Sequence, residues 1–475
     1  MFRYLLAVLG LLACVAPAAP AADRPPNVVL FFCDDMGYAD VGCYGGKTPT
    51  PNIDRLAAEG ARFTDFYAST AVCSASRAAI LTGCYHRRVG IEGALPPKSK
   101  IGLSAAELTL PEVFKRKGYA TGMAGKWHLG DAPQFLPTRH GFDEWFGVPY
   151  SHDMWPRHPA NPKAYPDLPL MEGTAAAGGK EAVDTVLKLN PEPGELTAAV
   201  TARAVRFVDA HKSEPFFLYV PHPLPHVPLG VSPAFAGKTG LGLYADVIAE
   251  IDDSVGQVLA AVKRNGLDGD TLVLFSSDNG PWRLYGDHAG SAGPLREGKA
   301  TSFDGGVREP FLARWPGHVP PGTVCKELAV TFDLLPTLAK RIGADLPADR
   351  TIDGKDIWPL MTGAAGATSP HEAYYVYWGG ALQAVRSGRW KLHLGHPYQT
   401  PAPPGGGGKP GKYATRTIGV ELFDLEADPG EATDVAAANP AVVERLQALA
   451  ERAREDLGDA ATKRVGKGVR EPGRL

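Results

Sequence analysis

Two short stretches set hard oxygen donors at the ends of apolar runs. Asp34-Asp35 follow NVVLFFC (27–33), and Asp278-Asn279 follow TLVLFSS (271–277). Three carboxylates and an amide suit Ca²⁺ or, less well, Mg²⁺, and do not suit a soft transition metal. Either pair alone reads more readily as a turn or a helix cap, and it is the two together after two buried-type strands that raise the metal reading. Lys126 and His128 in GKWHLG, His226 in PHPLPHVPL and Lys299 in GKATSFDGGVREP add cations and titrating groups. Opposite a cation site, such groups meet the needs of a tetrahedral oxyanion such as sulfate or phosphate. Cys73 opens CSASRAAILTG (73–83), with Arg77 one helical turn beyond it. From its surroundings alone, Cys73 is a buried thiol, a nucleophile or the precursor of another group.

The elements that must position these residues are legible in the hydrophobic pattern. Runs that are apolar on both faces are what a buried parallel sheet produces, since helices cover both of its sides. Val247, Ile248, Ile251, Val255, Val258, Leu259 and Val262 follow the spacing of one helix face, with Gly266 as a stop. Residues 111–117 read as a helix leading into a strand in GYATGMAG, and EPFFLYVPH reads as a further strand. The order is α/β, in which sites form beyond the carboxyl ends of the strands. Asp34, Asp35, Lys126, His128, His226, Asp278 and Asn279 all follow such runs. After about residue 365 the pattern becomes that of a small antiparallel sheet with one helix, begun by Asn439 as its cap and Pro440 at the first helical position. The intervening TPAPPGGGGKPGK (400–412) is too rich in Pro and Gly to be expected to pack, and the last fifteen or so residues read as a solvated tail.

The 475 residues, 44% of them hydrophobic, exceed one core and favour two unequal parts. We assign 1–22 to an export signal, 23–365 to a catalytic α/β part and 366–475 to a smaller α+β part. The signal reading rests on Arg3, the apolar residues 4–15 and the small residues Ala19 and Ala21; lipid attachment at Cys14 is a weaker alternative. The chain is thus expected to be periplasmic or secreted. A net charge of -3 without a dense basic block gives no footprint for nucleic acid, and no later run approaches the roughly 18 apolar residues of a membrane span. Five cysteines remain beyond Cys14, namely Cys33, Cys43, Cys73, Cys84 and Cys325. In an exported chain the odd count points to one thiol reserved for chemistry, while the pairing of the others stays open.

CSASRAAILTG resembles the sulfatase signature, Cys-x-Pro-x-Arg followed by an apolar run and Thr-Gly. NVVLFFCDDMGYADVGCYGG, TPNIDRLAAEGARFTDFYA, GYATGMAGKWHLG, FSSDNGP and GKATSFDGGVREP fall in the family's order across nearly the whole chain. Agreement is closest with the arylsulfatase A branch, around FLPTRHGFDEWFGVPYSHDMWP. The resemblance implies an alkaline phosphatase-like fold: a large mixed, mostly parallel sheet sandwiched by helices, with a smaller C-terminal antiparallel sheet plus helix. It implies hydrolysis of an aryl or carbohydrate sulfate, Ca²⁺ held by Asp34, Asp35, Asp278 and Asn279, and Cys73 oxidised to formylglycine by a formylglycine-generating enzyme. It further implies that the hydrated aldehyde lies by the metal with Arg77 holding it, that Lys126, Lys299 and Ser151 contact the substrate, that His128 takes a proton from the diol and that His226 assists the leaving group. Ala75 departs from the pattern, standing where the family usually has proline. The rival readings are a phosphate or phosphonate ester hydrolase of the same superfamily and a binding protein without turnover. His152, Asp153 and Trp155 are candidate pocket-lining residues and Trp282 and Arg283 candidate ring contacts, with a plain packing role left open for each.

Overall fold

The computed structural model describes residues 25–175 and 182–475; the expected export segment and Cys14 lie outside them. The apolar runs become the middle of an eleven-stranded sheet. Across it stand Thr323–Cys325, Ala61–Tyr67, Arg308–Arg314, Thr271–Ser277, Asn27–Cys33, Phe216–Val220, Ala120–Lys126, Glu144–Val148, Pro169–Ala175 and Ala182–Leu189, with Ala329–Val330 also on Ala61–Tyr67. The pairings from Thr271–Ser277 through to Glu144–Val148 are parallel. Arg308–Arg314 and the hairpin at the far edge pair antiparallel, which makes the sheet mixed. Every residue of Asn27–Cys33 and Thr271–Ser277 is buried, as expected of strands covered on both faces. Their register sets Cys33 beside Ser277, so both acidic pairs leave the sheet at one level.

Helices cover the two faces. Leu243–Arg264 buries the seven residues of the expected stripe and is followed by Gly266 at φ 72°. Leu110–Arg116 starts one residue before the expected position because Thr109 and Glu112 form a capping box. Leu110–Arg116 shares its core with Cys73–Thr82, all ten of whose residues are buried, on the face opposite Leu243–Arg264.

The C-terminal part is a four-stranded antiparallel sheet of Tyr374–Trp378, Ala381–Ser387, Trp390–Pro401 and Tyr413–Asp424, packed against the helix Pro440–Leu457. Four expectations need correction here. Asn439 stands at the cap position, but its side chain donates to the carbonyl of Val435 and does not cap the helix. The 400–412 segment is packed: Gly405 N–H and Gly411 N–H both donate to the carbonyl of Leu284, at 2.8 and 2.9 Å. Bare backbone makes this approach feasible, since a Cβ on Gly286 would lie 2.1 Å from the Gly405 carbonyl oxygen. The tail keeps exposed side chains yet is strapped down, Gly473–Arg474 pairing with Ile101–Gly102 and Arg470 with Glu107 at 2.7 Å. Finally, all five described cysteines are free thiols, so the odd count carries no information about Cys73.

A dry charge network joins the two parts. Lys391 Nζ lies 2.8 Å from both Asp304 Oδ1 and Glu431 Oε1, with none of the three side chains exposed. Glu431 also pairs with His393 at 3.0 Å and accepts the Asp304 N–H at 2.6 Å. Removing one partner of such a network strands the others without water. Lys391→Ala is expected to cost about 3–5 kcal/mol of unfolding free energy; a urea midpoint equal to the parent's would show that the network contributes no stability.

Candidate active site

Asp34 and Asp35 end the central strand, and Asp35 adopts a left-handed φ of 62°. That turn is stitched to the neighbouring strand end: Asp35 N–H donates to Asp278 Oδ1 at 3.2 Å, Met36 N–H to Ser277 Oγ at 3.1 Å, and Asp278 N–H to the carbonyl of Cys33 at 3.0 Å. Asn279 Nδ2 donates to Asp35 Oδ1 at 2.7 Å. Gly280 lets the loop 298–306 lie directly on this turn, since a Cβ there would stand 1.8 Å from the Gly305 carbonyl oxygen.

Three cations from separate segments reach the carboxylates. Arg77, inside the buried helix, donates to Asp278 Oδ2 at 2.8 Å and lies 3.7 Å from Asp34 Oδ2. Lys126, the last residue of its strand, donates to Asp34 and, at 3.0 Å, to Ser151 Oγ. Lys299 lies 2.7 Å from Asp35 Oδ1, on a loop whose Ala300 N–H bonds the carbonyl of Ala71, two residues before Cys73.

The two histidines differ in what their nitrogens are left to do. His128 Nε2–H donates to the carbonyl of Leu95 at 3.0 Å, leaving Nδ1 with a lone pair and no protein partner. Burial, reinforced by Lys126 and Arg77, pushes His128 well below its usual range, so the ring is neutral with its lone pair at Nδ1. His226 Nδ1–H donates to the carbonyl of Val227 at 2.5 Å, and its Nε2 stands 3.5 Å from Asp35 Oδ2. His152 packs edge-on against His226, ring centroids 5.7 Å apart.

Burial pushes the Cys73 thiol up to about 11, against the pull of Lys126 and Lys299. An unmodified thiol there is protonated at neutral pH and a poor nucleophile. Burial and the neighbouring Asp34 push Asp278 up to about 7, while Lys126, His226 and Arg77 overcome burial to hold Asp34 well below its usual range. Asp34 Oδ1 and Asn279 Oδ1 are buried without a hydrogen-bond partner. Asp34, Asp35 and His226 each offer a ligand atom within 4.8 Å of the others. Crowded carboxylates, hard oxygen donors and two orphaned oxygens fit a Ca²⁺-type ion, which would satisfy what the protein leaves unpaired.

Asp34, Asp35, Arg77, Lys126, Ser151, His226, Asp278, Asn279 and Lys299 thus form one connected set of contacts. Cys73 and His128 join it through charge, Cys73 sensing Asp34, Lys126, Asp278 and Lys299, and His128 sensing Asp34, Arg77 and Lys126. Sequence reading missed Glu309. Both its carboxyl oxygens are buried without a partner, and burial with Asp278, Asp35 and Asp40 drives it well above its usual range. Its signal was a carboxylate within the apolar strand Arg308–Arg314, flanked by charge that made it read as surface.

A carboxylate cluster at the carboxyl edge of parallel strands, ringed by lysines and histidines, defines a hydrolase of oxyanion esters. The sulfatase family model matches residues 26–344, and a model described as the C-terminal region of aryl-sulfatase matches 369–469. The chain belongs to the sulfatase family and is a sulfuric ester hydrolase. It is 42% identical over 446 residues to arylsulfatase A of Bos taurus, covering 89% of this chain and 86% of the relative. It is 40% identical over 406 residues to N-acetylgalactosamine-6-sulfatase of Mus musculus, covering 82% and 76%. Among solved structures it is similar to the PsFucS1 sulfatase from Pseudoalteromonas sp., with TM-score 0.80, 26% identity and 90% coverage of each chain.

Calcium at about 100 times its dissociation constant is expected to stabilise the fold by about 2.7 kcal/mol over EDTA-treated protein, read as a rise in Tm. Asn279→Ala should shrink that rise. An identical Tm with and without calcium would show that the cluster holds no such ion.

Proposed function

We propose that the protein releases sulfate from an aryl or carbohydrate sulfate, using formylglycine made from Cys73 and a Ca²⁺ ion held by Asp34, Asp35, Asp278 and Asn279. The observation that carries this reading is the seating of Lys126 on Asp34 and Lys299 on Asp35. Two ammonium groups flank a hard-donor cluster, an arrangement made for an anion that bridges cation and lysines. Burial keeps an unmodified Cys73 thiol protonated in the fold, which argues against direct thiolate attack.

When bound, the cation would draw sulfate oxygens and acidify a nearby hydroxyl. The hydrated aldehyde would supply two hydroxyls on one carbon, one to attack sulfur and one to expel sulfate afterwards. Arg77 fixes Asp278 and Asp34 in place, and Lys126 and Lys299 turn from their carboxylates to sulfate oxygens. Ser151, bonded to the Lys126 ammonium, keeps that ammonium aimed. His128 accepts a proton at Nδ1, the nitrogen its bond to Leu95 leaves free. Protonated at Nε2, His226 hands a proton to the departing alcohol. The balance is one water consumed for one alcohol and one hydrogen sulfate released.

We assign the chemistry to 23–365 and a supporting role to 366–475. Export through residues 1–22 accords with conversion of Cys73 by a formylglycine-generating enzyme on an unfolded segment, with Ala75 lowering the efficiency of that step. Among the described residues, no helix is long and apolar enough to cross a membrane.

Mass spectrometry of the exported protein is expected to find the Cys73 peptide lighter by about 18 Da, the change from thiol to aldehyde. A wholly unmodified thiol in active enzyme would sink the mechanism. Cys73→Ala should keep the parent's Tm yet release no sulfate from 4-nitrophenyl sulfate. Turnover of 4-nitrophenyl phosphate exceeding that of the sulfate would move the assignment to phosphate esters.

A further inference from the structure

Trp282 stands where the proposed chemistry meets the departing alcohol. Its ring centroid is 5.3 Å from that of His226, and the Lys299 ammonium lies 4.5 Å from the indole centroid. Tyr285 packs edge-on beneath it at 4.9 Å. On the outer side the indole N–H donates to the hydroxyl of Tyr413 at 2.9 Å, and Tyr413 comes from the far end of the C-terminal hairpin. That hairpin is fixed to the same loop by the two glycine N–H groups on the Leu284 carbonyl. Trp282 is only half-buried and Tyr413 is 37% exposed, so both keep surface for a ligand. Trp282, Lys299, Gln399, Pro401 and Tyr413 line one cleft.

We propose that Trp282 is a specificity-determining residue, selecting sulfate esters whose alcohol is a ring with an apolar face, and that Tyr413 positions its indole. This rests on the sulfatase reading. With the sulfate on Lys299 and the proton donor at His226, the alcohol carbon attached to the ester must lie between them, and its next atoms cross the Trp282 face. A ring stacks there; an acyclic chain leaves the indole partly wet and gains less. A phenol and a pyranose share this chemistry, and the test separates them.

Steady-state kinetics with free sulfate as readout would use 4-nitrophenyl sulfate, glucose 3-sulfate and hexyl sulfate. Trp282→Ala is expected to lower kcat/KM by about tenfold on ring substrates and by less than about twofold on hexyl sulfate, while Trp282→Phe retains most of the parent's ring activity. Tyr413→Phe should raise KM for the ring ester and leave kcat unchanged. Loss confined to 4-nitrophenyl sulfate identifies the aryl source, and loss confined to glucose 3-sulfate the pyranose; either supports the proposal. A loss of equal size on all three esters, at unchanged Tm, would overturn it while leaving the sulfatase reading intact. Parent enzyme that releases sulfate from none of the three would overturn that reading and this one together.

Discussion

Negative charge gathered in a dry place is the constraint from which the rest of this structure follows. Asp34 and Asp278 are fully buried and Asp35 is 3% exposed, at the ends of adjacent parallel strands. Carboxylates this close and this desolvated are tolerable only with cations brought to them. The chain recruits Arg77, Lys126 and Lys299 from a helix, a strand end and a loop that are far apart in sequence. Each recruit needs its own scaffold. The helix Cys73–Thr82 is buried to deliver a guanidinium, and the 298–306 loop is laid on the strand ends to deliver an ammonium. The same charges that make the cluster foldable are those a bound sulfate would use.

The C-terminal sheet serves this arrangement at two points. Lys391 and Glu431, the latter paired with His393, grip Asp304, five residues beyond Lys299, and the Pro-Gly tip grips Leu284, two residues beyond Trp282. Both grips end on loops over the carboxylate cluster. A small sheet that contributes no member of that cluster thereby decides how rigidly two of its loops are held.

Much of this was legible in the residues, for physical reasons. Asn27–Cys33 and Thr271–Ser277 announced themselves because burial on both faces leaves no polar alternation, and the parallel topology fixed where Asp34, Asp35, Asp278 and Asn279 would emerge. The stripe of Leu243–Arg264 was legible because its large apolar side chains keep to one face, although Asp246, Glu250 and Asp252 beside it are buried as well. The 400–412 segment was misread because composition reports a segment's own packing potential and is silent about a carbonyl that another loop offers. Glu309 escaped because a carboxylate beside an arginine reads as solvated, and only the fold shows that no water reaches it. Cysteine counting failed because thiols among buried side chains need no partner, as Cys33 in the central strand illustrates. The two ends of Asn439 were read half correctly: the position was right and the hydrogen bond went elsewhere.

The burial of Cys73–Thr82 also sets an order of events. Cys73 is 2% exposed, and the helix it opens has no solvent-facing side. A second protein could grip this segment only by prising it from Phe32, Phe66 and the other residues of the surrounding core. Any enzymatic alteration of the Cys73 side chain therefore belongs to the interval between synthesis and closure of the fold. On the proposed conversion of Cys73, the time the chain spends unfolded would limit what fraction of molecules is converted, and a faster-folding variant would be the poorer enzyme preparation.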